Sequence, residues 1–288
     1  MKDNYRVIGL MSGTSLDGLD IACVDFVLKE SWHFKLIASS TVAYPEVWKT
    51  RLVNLLDQDA ITFAKTHHYY GRYLGEQCSS FIAEHQLKNI DAISSHGQTI
   101  FHDPDQGFTI QIGNGSTLAT SSGLPVISDL RSADMAYGGQ GAPIVPLGEA
   151  FLWPEFSAFL NIGGISNISI HNEDSIIGYD VCMGNLIMDM VAEQEGLNFD
   201  EDGRLAASGK VNDEILRELN QHPYLKISGP KSLDAGQVFH EFLPIIKKHN
   251  VTSANLLATL CEHIAMQIAS ATEQVEGSLF ISGGGGLN

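Results

Sequence analysis

The residues best equipped for chemistry sit in small, hydroxyl-rich loops that follow short apolar runs. Ser12-Gly13-Thr14-Ser15-Leu16-Asp17-Gly18 is the first. Its small residues let backbone N–H groups approach an anion, and its hydroxyls add donors. It is not the P-loop, because no Gly-Lys-Ser/Thr follows, and the plain alternative is a hairpin loop turning at Asp17-Gly18. Gly163-Gly164-Ile165-Ser166-Asn167 repeats the pattern in the second half, with a tight turn as its plain alternative. Gly283 to Gly286 follow another apolar run. A glycine run costs backbone entropy and packs nothing, so a plain turn would not require it; close approach to a nucleotide would, and a disordered chain end is the plain alternative.

Other polar side chains complete the candidates. Asp180 follows Ile177-Gly178-Tyr179 and precedes Val181-Cys182-Met183-Gly184-Asn185. A carboxylate at a strand end beside a glycine turn is placed to act as a general base, or else to cap the helix starting near Asn185. Arg131, in Arg131-Ser132-Ala133-Asp134, could grip an anion through both arms of its guanidinium, or form a surface pair with Asp134. His96 and His102 have neither helical nor zinc-like spacing, so no metal-ligating set is expected. His67-His68 reads as part of a solvated helix face.

The elements that must position these groups alternate between strand and helix. Arg6–Met11 and Leu19–Val27 read as strands flanking the first loop, and 60–87 as a helix. Asp91–Ser95, Thr109–Ile112 and Pro125–Ser128 read as strands ending in Ser-His-Gly-Gln-Thr, Gly-Asn-Gly and Asp-Leu-Arg. In open α/β sheets such ends line the binding crevice. A Gly/Pro-rich break spans Gly138–Pro146, and Ala158–Ile170 then echoes the opening hairpin, which suggests duplication of one folding unit. Ile176–Tyr179 is read as a strand delivering Asp180 at its end. Asn185–Gln194, 212–220 and Ala254–Val275 read as helices, and Leu279–Ser282 as the strand before the glycine run.

Composition bounds the function. At about 150 residues per domain, 288 residues suggest two domains, which the Gly/Pro-rich break divides as 1–145 and 146–288. Lys plus Arg number 17 against 34 Asp plus Glu, a formal charge of −17. Binding to nucleic acid or an anionic membrane through a general basic surface is therefore not expected. The 44% hydrophobic fraction is that of a globular chain. Cys23, Cys78, Cys182 and Cys261 form no CxxC pair, and no run suits a signal peptide or a membrane span, so a cytoplasmic protein is expected.

MSGTSLDGLDIA, SHGQTIFHDP, QIGNGSTLA, DLRSADMAYGGQGAPIVP, LNIGGISNIS, YDVCMGN and AASGKV occur in this order across nearly the whole chain. Together they closely resemble the anhydro-N-acetylmuramic acid kinase family, within the sugar kinase, Hsp70 and actin superfamily. The resemblance implies an α/β, two-lobed actin-like ATPase (ribonuclease H-like) fold with duplicated βββαβα cores and an interlobe cleft for ATP and sugar. It implies that ATP phosphorylates O6 of 1,6-anhydro-N-acetylmuramic acid while water opens the anhydro bridge, in cell-wall recycling.

By motif position, Gly13, Thr14, Ser15, Leu16, Asp17, Gly18, Leu19 and Asp20 would wrap the ATP phosphates. Gly163, Gly164 and Asn167 would form a second phosphate loop, and Gly283, Gly284 and Gly285 would lie by the nucleotide. Asp180 matches the catalytic base. Arg131, Asp134 and His96 fall in segments that face the sugar. Mg²⁺ would accompany ATP to neutralise the transferring phosphoryl group. The small-molecule sugar and ATP are the expected partners, and a homodimer is left open.

The chain departs from the family pattern at Gly286-Leu287-Asn288 and at Pro230-Lys231-Ser232-Leu233-Asp234-Ala235-Gly236. The family also continues past the final glycine loop, with closing helices and a sugar-contacting carboxylate. The alternatives are a levoglucosan-type kinase, a truncated non-catalytic sugar- or nucleotide-binding protein, and a hydrolase using Asp180 without ATP.

Overall fold

The computed structural model describes residues 2–13, 16, 18–104, 106–139, 141, 144–172 and 175–287. The chain divides into two compact units, Met1–Ile144 and Val145–Asn288.

In the first unit, β1 (Asn4–Ser12), β2 (Gly18–Leu28) and β3 (Trp32–Ala43) form an antiparallel meander. After α1 (Glu46–Val53) and α2 (Ala60–Glu84), β4 (Ala92–Asp103) returns parallel to β1. β5 (Phe108–Ile112) pairs antiparallel with β4. α3 (Gly115–Ser122), β6 (Val126–Ile127) and α4 (Ser132–Ala136) follow, with β6 parallel to β4. The sheet order is β3-β2-β1-β4-β5, with β6 beside β4. α2 starts where the Asp59 side chain accepts from the Ile61 and Thr62 N–H groups, satisfying donors a free helix end leaves open. Its Tyr70, Leu74 and Phe81 bury against Ile8, Ile21 and Ile93 of the sheet.

The second unit repeats the plan. After α5 (Ile144–Leu152), β7 (Ala158–Ile162), β8 (Ile165–His171) and β9 (Ile176–Met183) form an antiparallel meander. α6 (Asn185–Glu193), α7 (Arg204–Ser208), α8 (Asp213–Asn220), α9 (Ala235–Gln237), α10 (Leu243–Lys247) and α11 (Ser253–Thr272) intervene. β10 (Leu279–Ser282) then returns parallel to β7. The order β10-β7-β8-β9 has the same connectivity as β4-β1-β2-β3. The weak echo in sequence is thus a repeated topology, the meander-plus-parallel-return of the ribonuclease H-like core. Leu160, Val181, Ile187, Phe242, Leu257 and Leu260 centre its core.

The helices α1, α3, α4 and α5 are not signalled in the sequence, α5 beginning within the Gly/Pro-rich break, and three strands differ from expectation. β3 is not signalled in the sequence, because it is largely exposed and lacks clean alternation. β4 does not stop at Ser95 but continues through the Ser-His-Gly-Gln-Thr run to Asp103. β9 does not stop at Tyr179 but runs to Met183, so Asp180 lies within a strand. Among the described residues no helix is long and apolar enough to cross a membrane.

Candidate functional site

Asp180 owes its setting to an irregularity in β9. Ser166 pairs with Cys182 but its neighbour Asn167 pairs with Asp180, so Val181 is an extra residue. Such a bulge bends the strand and re-aims a side chain. The Asp180 backbone N–H donates to the Lys231 carbonyl (2.9 Å), and Tyr224 Oη donates to the Asp180 carbonyl (2.6 Å). The Leu233 N–H donates to Asp180 Oδ2 (2.9 Å). The segment 230–236, singled out as a departure from the family pattern, is therefore what holds this carboxyl. Burial disfavours the charged form and lifts the Asp180 pKa to about 6, against the opposing pull of the Leu233 N–H. Asp180 does not cap α6, whose N-cap is Gly184.

Lys231 folds back, with Nζ donating to the Tyr224 and Ile227 carbonyls, each at 3.3 Å, and 4.8 Å from the Tyr224 ring centroid. Burial lowers its pKa.

The turn between β7 and β8 presents Gly163 and Gly164. Their carbonyls accept from the N–H groups of Gly184, Asn185 and Leu186, which fixes the turn against the start of α6. A Cβ would meet nothing nearer than 3.5 Å at Gly163 or 3.7 Å at Gly164. Packing therefore does not demand glycine here. Gly283 is different. Its φ is +86° and a Cβ would lie 2.5 Å from the Ile162 carbonyl oxygen. At Gly285 a Cβ would lie 2.3 Å from Ile162 Cγ2, whereas at Gly284 its nearest neighbour is Asn185 Nδ2 at 3.8 Å. Glycine at 283 and 285 thus answers to packing on β7, a reason that the run of glycines alone does not signal.

Thr14, Ser15 and Asp17 lie outside the described residues. The Leu16 N–H donates to the Gly13 carbonyl (3.3 Å). Gly18, Leu19 and Asp20 belong to β2, where Leu19 is a core residue and Asp20 accepts from Thr41 Oγ1 (2.5 Å). Beneath the loop, Ser12 Oγ meets Tyr44 Oη (2.6 Å) and Tyr70 Oη (3.0 Å) and donates to Gln98 Oε1. This buried hydroxyl cluster ties the loop's base to β4, and nothing in the local sequence signals it.

β4 carries its own bulge, since Leu10 pairs with Ser95 while Ser12 pairs with Gln98. Gly97 turns it with φ of +72°, and a Cβ there would lie 2.4 Å from the Ile112 carbonyl oxygen. His96 and Gly97 line a cavity of about 610 Å³, with His67, Gln111, Asn114 and Asp129 among its other walls. Arg131 Nε donates to His96 Nε2 (2.9 Å), and Arg131 Nη1 to the Gly141 carbonyl (2.6 Å). His96 Nδ1 is 2.8 Å from the Gly97 carbonyl, so the proton sits on Nδ1 and the ring is neutral. Burial and then the nearby Arg131 charge hold the His96 pKa below its ordinary value. Asp134 Oδ2 accepts from the Gly141 N–H (2.7 Å). Arg131 and Asp134 thus both hold Gly141 rather than forming the surface pair that their spacing allowed.

The structure therefore brings His96 and Arg131 together and sets Asp134 beside them through Gly141. His67 is not simply on a solvated face. Its Nδ1 accepts from the Gly113 N–H (3.2 Å) at the cavity wall. The lone signal for it is the paired histidine on α2. Among the described residues no group of three His, Cys, Asp or Glu could hold a metal ion.

The sequence model described as anhydro-N-acetylmuramic acid kinase matches residues 5–288. The chain belongs to the anhydro-N-acetylmuramic acid kinase family. The family member named for this activity in Pseudomonas fluorescens is 37% identical over 299 residues, covering 98% of this chain and 80% of its own length. That of Haemophilus influenzae is 36% identical over 320 residues, covering 100% and 81%. Among solved structures, the activator of 2-hydroxyisocaproyl-CoA dehydratase from Clostridium difficile with bound ADPNP is similar at a TM-score of 0.40. It is 12% identical, over 98% of this chain and 81% of that chain.

Proposed function

We infer that the chain is an ATP-dependent kinase of 1,6-anhydro-N-acetylmuramic acid, acting in cell-wall recycling. Family membership supplies the reaction, and the observation that carries the mechanism is Asp180. Its carboxyl is buried, oriented by the Leu233 N–H, and lifted to about 6. A general base works best with a pKa near the operating pH. In this reading Asp180 accepts a proton from water as the water oxygen bonds to C1. The C1–O6 bond breaks, and O6 takes the γ-phosphoryl group of ATP. The products are N-acetylmuramic acid 6-phosphate and ADP. A bridged acetal has no free O6 hydroxyl until it opens, so coupling the two events avoids a free alkoxide.

The remaining roles follow the same reading. The loop from Gly13 to Asp20 and the turn of Gly163, Gly164 and Asn167 receive the ATP phosphates. The absence of any packing demand for glycine at 163 and 164 supports this, as does the cross-strand pairing of Asn167 with Asp180. Gly283, Gly284 and Gly285 lie by the nucleotide. His96, Arg131 and Asp134 bind the sugar at the first unit's cavity, which His96 lines and beside which Arg131 is held; its hydroxyl, amide and imidazole lining suits a polyhydroxylated ligand. Mg²⁺ would arrive with the phosphates and neutralise charge on the transferring oxygens. Residues 1–145 and 146–288 act as the two lobes. Four free cysteines support a cytoplasmic setting.

The test is ADP release with 1,6-anhydro-N-acetylmuramic acid by the native chain and by Asp180→Asn. Sugar-dependent ADP release that falls about 10²–10⁴-fold in the variant, with ATP affinity retained, supports the reading. Sugar-independent ADP release, or none, overturns it.

A further inference from the structure

β9 is an edge of the second unit's sheet, and the segment 231–233 lies along that edge. A regular parallel bridge here would have two bonds. The Asp180 N–H would donate to the Lys231 carbonyl, and the Leu233 N–H to the Asp180 carbonyl. The first is present at 2.9 Å. In place of the second, the Leu233 N–H donates to Asp180 Oδ2 (2.9 Å), and the Asp180 carbonyl accepts from Tyr224 Oη (2.6 Å). A backbone donor that a plain strand edge would spend on a carbonyl is spent on a carboxyl.

Tyr224 is placed for this by its own short turn, Pro223–Lys226, at whose start His222 Nδ1 accepts from the Tyr224 N–H (3.3 Å). Its ring is buried in the second unit's core with Val181 and Leu233. Three residues then close a ring of bonds. The Asp180 carbonyl accepts from the Tyr224 side chain, the Tyr224 carbonyl from the Lys231 side chain, and the Lys231 carbonyl from the Asp180 N–H. The phenol is therefore fixed from both ends, by the core and by Lys231.

We propose that Tyr224 is a positioning residue for the reaction: by occupying the Asp180 carbonyl it leaves the Leu233 N–H to the Asp180 carboxyl, and so sets the pH at which that carboxyl serves as base. This rests on reading Asp180 as the base. The Leu233 N–H favours the carboxylate, against burial, which favours the acid. Without the phenol, the carbonyl is an open acceptor at the strand edge, and the Leu233 N–H turns to it. The carboxyl then loses its donor and keeps its proton to higher pH. The titratable groups gathered around Tyr224 and Asp180 are Tyr179, Cys182 and Lys231. Burial raises the Tyr179 and Tyr224 phenols and pushes the Cys182 thiol up to about 12, so all three are neutral near pH 6. Lys231 is held by the carbonyls of Tyr224 and Ile227, which a change of phenol to phenyl leaves in place. Asp234 turns its carboxylate to the Gln237 N–H (2.8 Å). Tyr224→Phe therefore changes one contact at the carbonyl and no charge near the carboxyl.

The experiment follows the Asp180 carboxyl by carbon NMR against pH in the native chain and in Tyr224→Phe, its resonance assigned by its loss in Asp180→Asn. The pH profile of kcat/KM for 1,6-anhydro-N-acetylmuramic acid is read beside it. The carboxyl midpoint and the acid limb of the rate are both expected to rise by about 0.5–1 pH unit in the variant, a roughly three- to tenfold tighter hold on the proton. In the native chain the Leu233 amide proton should shift with the same titration, and in the variant it should cease to follow it. A carboxyl midpoint that is unmoved or lowered overturns the proposal. So does an equal loss of kcat/KM at every pH, which a merely structural phenol would give. A native Leu233 amide that ignores the titration overturns it without any variant, and so decides the matter even where Tyr224→Phe fails to fold. A carboxyl midpoint that rises while the acid limb stays in place upholds the exchange of bonds at Tyr224 and instead sinks the reading of Asp180 as base.

Discussion

The Leu233 N–H donates to Asp180 Oδ2 at 2.9 Å, so the candidate base is oriented by a backbone group from outside the sheet that carries it. That one bond favours the carboxylate, while burial favours the protonated acid and prevails, lifting the pKa to about 6. The outcome is a carboxyl that changes protonation close to physiological pH.

The rate and the stability therefore carry opposite pH signatures at this residue. kcat/KM is expected to fall as pH drops through about 6, because the base must be unprotonated to accept a proton. Native Asp180 keeps its proton up to about 6, whereas an unfolded Asp loses it near about 3.9. Between these values the native state binds more protons than the unfolded state, so stability falls as pH rises through the window and stays reduced above it. Asp180→Asn removes that penalty. It should be more stable than the native chain at pH 7.5 by on the order of 1–3 kcal/mol, with the difference shrinking at pH 3.5. Equal denaturant midpoints at pH 7.5 would contradict this.

The glycines separate into two kinds that substitution to alanine should distinguish. Gly97→Ala and Gly283→Ala combine a φ of +72° or +86° with a Cβ 2.4 or 2.5 Å from a carbonyl oxygen. Each is predicted to lose about 1–3 kcal/mol in denaturant unfolding. Gly164→Ala has room, with Leu186 Cβ 3.7 Å away, and should stay within about 0.5 kcal/mol of the native chain. If this turn receives the ATP phosphates, the variant's KM for ATP should nevertheless rise, because the methyl stands where the bare backbone would approach the phosphates. A stable Gly164→Ala with unchanged KM would remove this turn from nucleotide binding.

The His96 ring reports on Arg131. The guanidinium donates to Nε2 at 2.9 Å, and its charge helps hold the histidine neutral. Nitrogen-detected NMR should find the proton on Nδ1 and a titration below the ordinary histidine range. Arg131→Ala should raise that titration and raise the KM for the sugar. Arg131→Lys should restore the sugar KM only partly, since an ammonium lacks the planar fork that reaches His96 and Gly141 together.

Stereochemistry tests how Asp180 acts. The 1,6-anhydro bridge fixes the anomeric oxygen on the β face, because only that face lets O6 reach C1. Water activated for direct displacement attacks the opposite face, as in inverting glycosidases. The first product should be the α anomer of the 6-phosphate, with ¹⁸O from labelled water at C1 and none in phosphate. Proton NMR before mutarotation, with mass analysis, reads both. A first-formed β anomer would point instead to a covalent carboxylate intermediate.

The sequence by itself determined the family, the two glycine loops, the echo between halves and the principal helices. Those signals are local: apolar spacing along one element, turn chemistry, and an ordered set of short motifs. Tertiary structure alone decided how the candidate residues are held. Asp180 reads as a strand end because a bulge at Val181 depends on register with β8, which no single segment encodes. Its partners Tyr224, Lys231 and Leu233 come from a segment whose sequence signals only divergence. His96 looks like part of a loop, and becomes a cavity wall because β4 bulges beside β1 and Arg131 arrives from 35 residues away. Ser95 looks like one more small residue in a strand, and only burial beside the start of α3 leaves its hydroxyl without a partner. Backbone periodicity is written within a segment, but register, burial and hydrogen-bond completion depend on what another segment brings to it.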